Sequence, residues 1–311
     1  MDLNELKDEF IIDCQIRNLS KRTIETYARN IGIIFNMLNE NGKNKLTDVS
    51  RVDIKKIIIA LQEQELKSTY INILMKSVKV CLRYAEGEGY LIDNPMDKIK
   101  LLKDKKTLLK TFTDEEVLNM INFYEGQGFL KTRNKLILET FADTGLRVSE
   151  LRNLKNENIK DGYFIVLGKG DKERVVPLSP YLLNRIKKYN RVKYEYFRNL
   201  RISREIEDYL FLTKSGKKMG TNLMIEKIVK DSAINVGVRE EVQRKSCHSL
   251  RHYFAQKLLK TGTNIYTISR LLGHSSIKTT QIYLNSLTDD EILNDIGGKT
   301  PMMMLSKQRF K

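Results

Sequence analysis

Apolar residues recur every three or four positions through about the first hundred residues, which is the spacing of one face of an α-helix. The clearest run follows Ser20, whose hydroxyl suits a helix N-cap, and ends near Gly42. Further helical runs begin near Val52 and after Ser68. The spacing is helical throughout, so we predict a compact helical domain over residues 1–98.

The pattern changes after a Lys-rich stretch at residues 99–112, which we interpret as a basic linker. Thr113 precedes three acidic residues, a typical helix start. Residues 163–167 have the composition of a strand, residues 168–172 that of a turn, and residues 173–178 return as a second strand. Further helices are predicted over residues 181–208, 221–236, 248–260, 264–272 and 276–284, and a capped last helix begins at Thr288 and stops at Gly297.

These elements predict a mainly α protein with a small antiparallel β-sheet. A chain of 311 residues is long enough for two domains, each with its own core. We divide it into a helical domain (1–98), the basic linker (99–112), a mixed α+β domain (113–287) and a C-terminal helix and tail (288–311).

Cysteine usage and targeting signals bear on where the protein works. Cys14, Cys81 and Cys247 are odd in number and far apart, so they indicate neither a disulfide framework nor a zinc cluster. No apolar run approaches the roughly 18 residues of a membrane span. The N-terminus lacks the basic-then-apolar order of a signal peptide. We therefore expect a cytoplasmic protein with no membrane partner.

The charge balance is strongly basic, with 55 Lys and Arg against 39 Asp and Glu and a formal net charge of +16. Each Lys or Arg placed on a phosphate releases a condensed counterion, so such a balance favours a polyanionic partner. General solubility, or a Lys-rich proteome, is the alternative explanation. Nucleic acid is the partner that the charge predicts.

Residues suited to phosphate chemistry are concentrated in the second domain. All three His lie between residues 248 and 283, and His248 and Arg251 share a helix face at i and i+3. His274 and Tyr283 follow in the same segment. Upstream, Arg147 follows the Thr-Gly-Leu turn at 144–146, and Lys169 lies at the tip of the predicted hairpin. These six side chains are the candidate catalytic set.

The residue types in this set point to transfer at a phosphate. Arg binds phosphate through two parallel N–H donors and does not deprotonate, so it can neutralise a transition state without a metal. The phenol of Tyr283 is a feasible nucleophile and a better leaving group than a sugar hydroxyl, so its phosphodiester can be resealed. Lys169 is a candidate general acid for a departing 5′ oxygen.

Each feature also has another interpretation. His248 and His252 at i and i+4 could chelate zinc, but Ser249 stands where the metalloprotease pattern has Glu, and no third ligand is near in sequence. Residues 268–283 also resemble a helix-turn-helix, which would indicate a regulator. Tyr283 could be a core aromatic. None of these interpretations accounts for the whole set.

Four motifs give the chain a resemblance to the tyrosine recombinases, also called phage integrases, and within them to the simple Xer-like members. The motifs are Thr-Gly-Leu-Arg-Val-Ser-Glu-Leu (144–151), Gly-Lys-Gly-Asp-Lys-Glu-Arg-Val-Val-Pro-Leu (168–178), His-Ser-Leu-Arg-His-Tyr-Phe-Ala (248–255) and Leu-Leu-Gly-His-Ser-Ser-Ile-Lys-Thr-Thr-Gln-Ile-Tyr (271–283). The likeness covers roughly residues 5–290, and the first domain resembles the family's SAM-like core-binding domain.

The resemblance implies a role for each matched residue. Arg147 and Arg251 would hold the non-bridging oxygens of the scissile phosphate, and Lys169 would protonate the leaving 5′ oxygen. Tyr283 would form a 3′-phosphotyrosyl link, with neither metal nor cofactor. His248 would assist proton transfer to or from the nucleophile. Two further matches complete the set: His274 would hydrogen-bond the phosphate, and Glu150 would support Arg147 without reacting.

The resemblance also implies partners. Family members close around double-stranded DNA as a C-shaped clamp and act as homotetramers on inverted-repeat core sites, so we expect both here. Residues 288–311 are the candidate segment for exchange between protomers. Integration, excision, inversion and dimer resolution all stay open, as does the need for a second recombinase or an accessory protein. The rival functions are a type IB topoisomerase and a non-catalytic helix-turn-helix regulator.

Overall fold

The computed structural model describes residues 1–103, 110–168, 173–199, 206–274 and 276–284. The chain divides into two compact units, Met1–Thr107 and Leu108–Lys311. Lys169, the turn that carries it, and residues 288–311 with their predicted last helix and exchange segment lie outside the described residues.

The first unit is a bundle of helices. In chain order they are α1 (Leu3–Ile16), α2 (Lys21–Glu40), α3 (Arg51–Glu63) and α4 (Ser68–Gly87). Ser20 caps α2 as predicted, because its hydroxyl accepts a hydrogen bond from the Thr23 amide (3.2 Å). Helix α1 was not singled out from the sequence, although Asp2 and Glu5 form a capping box at its start.

Burial in the first unit follows the helical spacing of its apolar residues. Phe10, Phe35 and Leu74, from α1, α2 and α4, are completely buried in one apolar cluster. A buried polar contact joins α2 to α4, where the Asn30 amide donates to the Ser77 hydroxyl (3.0 Å). The unit therefore has a core of its own, as the periodicity predicts.

The second unit combines helices with one small sheet. In chain order its elements are α5 (Asp114–Phe123), α6 (Phe129–Thr144), α7 (Val148–Asn153), β1 (Ile159–Lys160), β2 (Tyr163–Leu167), β3 (Glu173–Pro177), α8 (Pro180–Asn199), α9 (Asn222–Asn235), α10 (Cys247–Lys260), α11 (Ile265–Leu272) and α12 (Lys278–Gln281). The strands pair antiparallel in the order β1-β2-β3. The predicted mainly α fold with a small antiparallel sheet is confirmed.

Some element boundaries were predicted wrongly. The helix predicted over 181–208 does not extend to residues 206–208, because the Glu207 amide donates to the carbonyl of Gly216 (2.9 Å) and this part of the chain pairs with the following loop. The helix predicted over 276–284 shortens to α12. The two-residue strand β1, which pairs with β2, was not predicted.

Helix α6 crosses the core of the second unit and ends at the turn that places Arg147. Phe141 is completely buried, and Gly145 ends the helix with a φ of +59°. A Cβ at Gly145 would overlap the Phe254 ring, so glycine is required both for the backbone conformation and for the contact with α10. Within the described residues, none of the helices is both long and apolar enough to cross a bilayer.

Candidate active site

The predicted site residues lie on or next to four helices of the second unit. Arg147 precedes α7, His248 and Arg251 lie on α10, and His274 follows α11. Tyr283 comes just after α12. Gly273 ends α11 in the left-handed region, with a φ of +63°, much as Gly145 ends α6.

Glu150 is a buried carboxylate shared by two arginines. Its Oε1 atom accepts from Arg147 Nη1 (2.7 Å) and from Arg174 Nη1 (2.7 Å), while Oε2 accepts from Arg174 Nη2 (2.8 Å). Burial alone would raise the pKa of Glu150, but the hydrogen bonds and charges of Arg174 and then Arg147 hold it below its usual value. Glu150 is therefore ionised at neutral pH and supports Arg147.

Arg251 is the most deeply buried cation of the site, with an exposed fraction of 1%. Its Nη1 donates to the carbonyl of Gly145 (2.8 Å) and its Nη2 to that of Leu272 (2.5 Å). Burial, together with the positive charge of Arg147, lowers its pKa to about 10, so it stays protonated at neutral pH. These two hydrogen bonds use only part of its five N–H donors.

Tyr283 packs into a small apolar cluster beside the arginines, with an exposed fraction of 2%. Its hydroxyl lies 2.9 Å from His252 Nδ1. Burial raises the pKa of the phenol, and the nearby positive charge of Arg251 opposes that effect. The nucleophile candidate is therefore a neutral phenol in contact with an imidazole.

The imidazoles of the site are held in their neutral form. Burial, together with the neighbouring His248 and Arg251, lowers the pKa of His252 to about 3. Burial and the positive charges of Arg251 and Arg147 lower the pKa of His274 to about 4, and the same kinds of cause lower that of His248. A neutral imidazole has one nitrogen able to accept a proton, which suits a base.

Two further contacts locate the other imidazoles. The ring of His248 meets that of His252 edge to face, with centroids 4.4 Å apart. His274 Nδ1 lies 2.8 Å from the hydroxyl of Thr280, a completely buried residue of α12. His274 thereby links the end of α11 to the helix that precedes Tyr283.

We expect the stability of the protein to depend on these imidazoles. The pKa values of His252 and His274 in the folded protein lie below the value of 6.5 for an ordinary His. Between those values the unfolded chain binds more protons than the folded one. The stability that these neutral imidazoles contribute is therefore fully present above about pH 6.5 and is lost as the pH falls below it. We predict that the melting temperature falls by roughly 5 °C between pH 6.5 and 4.5.

Thermal unfolding of the wild type and of a His252→Gln/His274→Gln double variant checks this prediction. Carboxylates such as Glu150, whose lowered pKa also removes stability in acid, are common to both proteins and cancel in the comparison. The double variant should show a flatter pH profile. Equal slopes in the two proteins would contradict the assignment of neutral imidazoles.

The sequence placed most of this site but not all of it. Arg147, His248, Arg251, His274 and Tyr283 all lie in the second unit as described above, and the predicted contact between Glu150 and Arg147 is present, while Lys169 is outside the described residues. Two residues of the cluster were missed. The sequence offers His252 only as a possible zinc ligand, although it lies one turn after His248 on α10, and it gives no local signal for Arg174 inside the second motif.

In the part of the chain that the structure describes, no group of three or more His, Cys, Asp or Glu residues is placed to hold a metal ion. Arg147, Arg174 and Arg251 gather positive charge at the site around the carboxylate of Glu150. Such a cluster carries a formal charge of +2 and suits an anionic ligand.

A helical unit followed by an α+β unit, with arginines, imidazoles and a tyrosine converging in the second, defines the class of DNA strand transferases that use tyrosine. Residues 110–289 match the model of the phage integrase family, and residues 8–89 match that of the phage integrase N-terminal SAM-like domain. The chain therefore belongs to the phage integrase family, the tyrosine recombinases.

Curated relatives agree with this assignment, and a solved structure is similar in fold. The chain is 29% identical to tyrosine recombinase XerC of Oceanobacillus iheyensis over 92% of its own length and 94% of the relative's. It is 31% identical to XerC of Thermodesulfovibrio yellowstonii over 85% of each chain. A lambda integrase tetramer bound to a Holliday junction is similar in fold, with a TM-score of 0.73, 18% identity, and coverage of 94% of this chain and 78% of that one.

Proposed function

We propose that this protein recombines DNA at specific sites by a covalent mechanism in which Tyr283 is the nucleophile. The observation that carries the proposal is the placement of a buried phenol against a neutral imidazole and an arginine cluster of net positive charge. Plain DNA binding needs phosphate-contacting cations but not a phenol hydrogen-bonded to a base.

Arg147 and Arg251 supply the charge that the reaction needs. Arg147 donates one hydrogen bond to Glu150 and one to a backbone carbonyl, and Arg251 donates two to backbone carbonyls. Each guanidinium has further N–H donors for non-bridging phosphate oxygens. A pentavalent phosphorane carries more negative charge on these oxygens than the ground state does. Fixed guanidinium donors therefore stabilise the transition state more than the substrate.

Cleavage transfers the scissile phosphate from the DNA 5′ oxygen to Tyr283. The Tyr283 oxygen attacks phosphorus, its proton passes to an imidazole, and the bond to the 5′ oxygen breaks. Lys169 donates a proton to that leaving oxygen, a role carried over from the family motif. The product is a 3′-phosphotyrosyl link and a free 5′ hydroxyl. Attack by a 5′ hydroxyl on the link reverses each transfer and reseals the strand.

His252 is the imidazole in contact with the phenol, and His248 contacts His252 in turn. With the His252 proton on Nε2, Nδ1 accepts from the phenol and is the first recipient of its proton. His248 then assists as the second imidazole of the pair, which agrees with the role that the family motif implies for it. Because Tyr283 is buried, DNA binding must bring the scissile phosphate and this phenol–imidazole pair together.

The partners follow from the same chemistry. Exchange between two duplexes breaks four strands, and each protein chain supplies one Tyr283, so the working assembly is a homotetramer on paired double-stranded core sites. Inverted repeats within a core site would match a symmetric pair of protomers. The net charge of +16 supports contact with the DNA backbone. Residues 288–311 are the segment we assign to exchange between protomers.

A topological assay tests this function against that of a type IB topoisomerase. Core sequence would first be selected by covalent trapping from a random duplex library, then placed once or twice in a supercoiled plasmid. We expect deletion or inversion of the intervening DNA only in the plasmid with two sites. Relaxation of both plasmids without recombinant products would contradict the proposal, and binding without cleavage would favour a regulator.

A further inference from the structure

Three arginine side chains hold the C-terminal end of α11. They donate to three successive carbonyl oxygens: Arg174 Nε to Leu271 (2.9 Å), Arg251 Nη2 to Leu272 (2.5 Å) and Arg147 Nη2 to Gly273 (2.8 Å). The last carbonyls of a helix lack partners within the helix and carry partial negative charge, so guanidinium donors suit them. His274 follows directly, so these contacts fix the backbone position from which its side chain extends.

Arg174 differs from Arg147 in how its donors are used. It projects from strand β3, its side chain is 12% exposed, and it makes three hydrogen bonds to protein acceptors: one to Leu271 and two to Glu150. Arg147, by contrast, has a side chain that is 33% exposed. The hydrogen bonds of Arg174 therefore go to protein acceptors, while the more exposed Arg147 side chain can also contact a ligand.

The packing around Arg174 depends on Gly273. A Cβ at Gly273 would lie 3.1 Å from the Cδ, Nε and Nη1 atoms of Arg174, closer than such contacts normally come. The side chain thus lies directly against the turn that precedes His274. A single residue on β3 contacts both the carboxylate behind Arg147 and the backbone before His274.

We propose that Arg174 is a positioning residue for strand cleavage, an inference that rests on the proposed function. It holds Glu150 and the end of α11 and thereby aims Arg147 and His274 at the scissile phosphate. Because Glu150 Oε1 accepts from both arginines, Arg174 also draws part of the carboxylate's charge away from Arg147. Without Arg174, Glu150 would neutralise Arg147 more completely, so Arg147 would stabilise less of the extra negative charge that the phosphate gains in the transition state.

Single-turnover cleavage tests this role. The substrate is a nicked duplex carrying the selected core sequence, from which the cleaved strand is released and cannot be rejoined. Arg174→Lys keeps the charge but loses the two-point contact with Glu150, and Arg174→Gln also removes the charge. Arg185→Lys is the matched control, since Arg185 pairs with the buried Glu139 elsewhere in the unit.

We expect the cleavage rate constant of Arg174→Lys to fall about 10- to 100-fold, the usual effect of removing a residue that orients a site. The reaction amplitude and the DNA affinity should stay close to those of the wild type, as should all three quantities for Arg185→Lys. A residue needed only for folding would lower the amplitude and leave the rate constant unchanged.

An unchanged rate constant, a loss of amplitude alone, or a parallel loss of DNA affinity in Arg174→Lys would overturn the positioning role. Arg174→Gln should be slower still, and a Gln variant faster than the Lys variant would also count against it. Failure of the proposed function gives a different result. In that case the wild-type protein itself would form no covalent adduct with the substrate.

Discussion

Replacing Tyr283 with Phe is expected to abolish strand cleavage while leaving DNA binding intact. The substitution removes only the hydroxyl, and the ring keeps its place in the apolar cluster with Phe254, Ile268 and Leu272. Loss of a covalent nucleophile typically costs three orders of magnitude or more, so we expect a decrease of at least about a thousand-fold. Single-turnover cleavage and a gel-shift titration on the same duplex measure the two quantities.

The control for this experiment is Tyr266→Phe. Tyr266 lies on α11 in the same unit but is 69% exposed, so it shares the residue type and the neighbourhood without the buried contact to His252. It should cleave at the wild-type rate. Residual cleavage by Tyr283→Phe within tenfold of the wild type would show that another group attacks the phosphate.

Arg251→Gln is expected to have the second largest effect. The variant loses the buried positive charge and the donors we assign to a non-bridging oxygen, which typically costs about a hundred- to a thousand-fold in rate. It also leaves the carbonyls of Gly145 and Leu272 without their present donors, at a cost of about 1–3 kcal/mol of stability for each. Cleavage rate and chemical denaturation measure the two effects separately.

Arg133→Gln is the control for this variant. It separates the effect of losing positive charge at the site from the effect of losing any buried arginine. Arg133 is also buried and also donates to a carbonyl, that of Leu212 (2.8 Å), but it lies on α6 outside the cluster. Both variants should lose stability, and only Arg251→Gln should lose rate once the folded fraction is equalised. Equal losses of rate in both variants would mean that Arg251 acts through the fold alone.

Local signals in the sequence were enough for much of the fold. Ser20 and Thr113 cap helices where the capping pattern predicted, since a hydroxyl that accepts from the backbone three residues ahead is a local contact. The strand at Tyr163–Leu167 also followed from composition. The short strand β1 could not be predicted, because two residues are too few to show a period.

Contacts between distant parts of the chain account for what the sequence missed in the site. Helical spacing placed His248 and Arg251 on one face of α10, but the contact of His252 with Tyr283 joins residues 31 positions apart. Arg174 and Glu150 are likewise 24 residues apart and meet only because β3 lies beside α7. The motifs identified the family, and the folded structure added these two residues to the site.

The measurement that bears most directly on the covalent mechanism is the identification of the attachment point. Wild-type protein would be incubated with the nicked core duplex in EDTA and denatured in SDS. Nuclease and protease digestion would then precede mass spectrometry of the peptides. We predict a nucleotide 3′-phosphate on the peptide that contains Tyr283, and none in Tyr283→Phe. A remnant on any other residue, or recombinant product formed without an adduct at Tyr283, would contradict the mechanism.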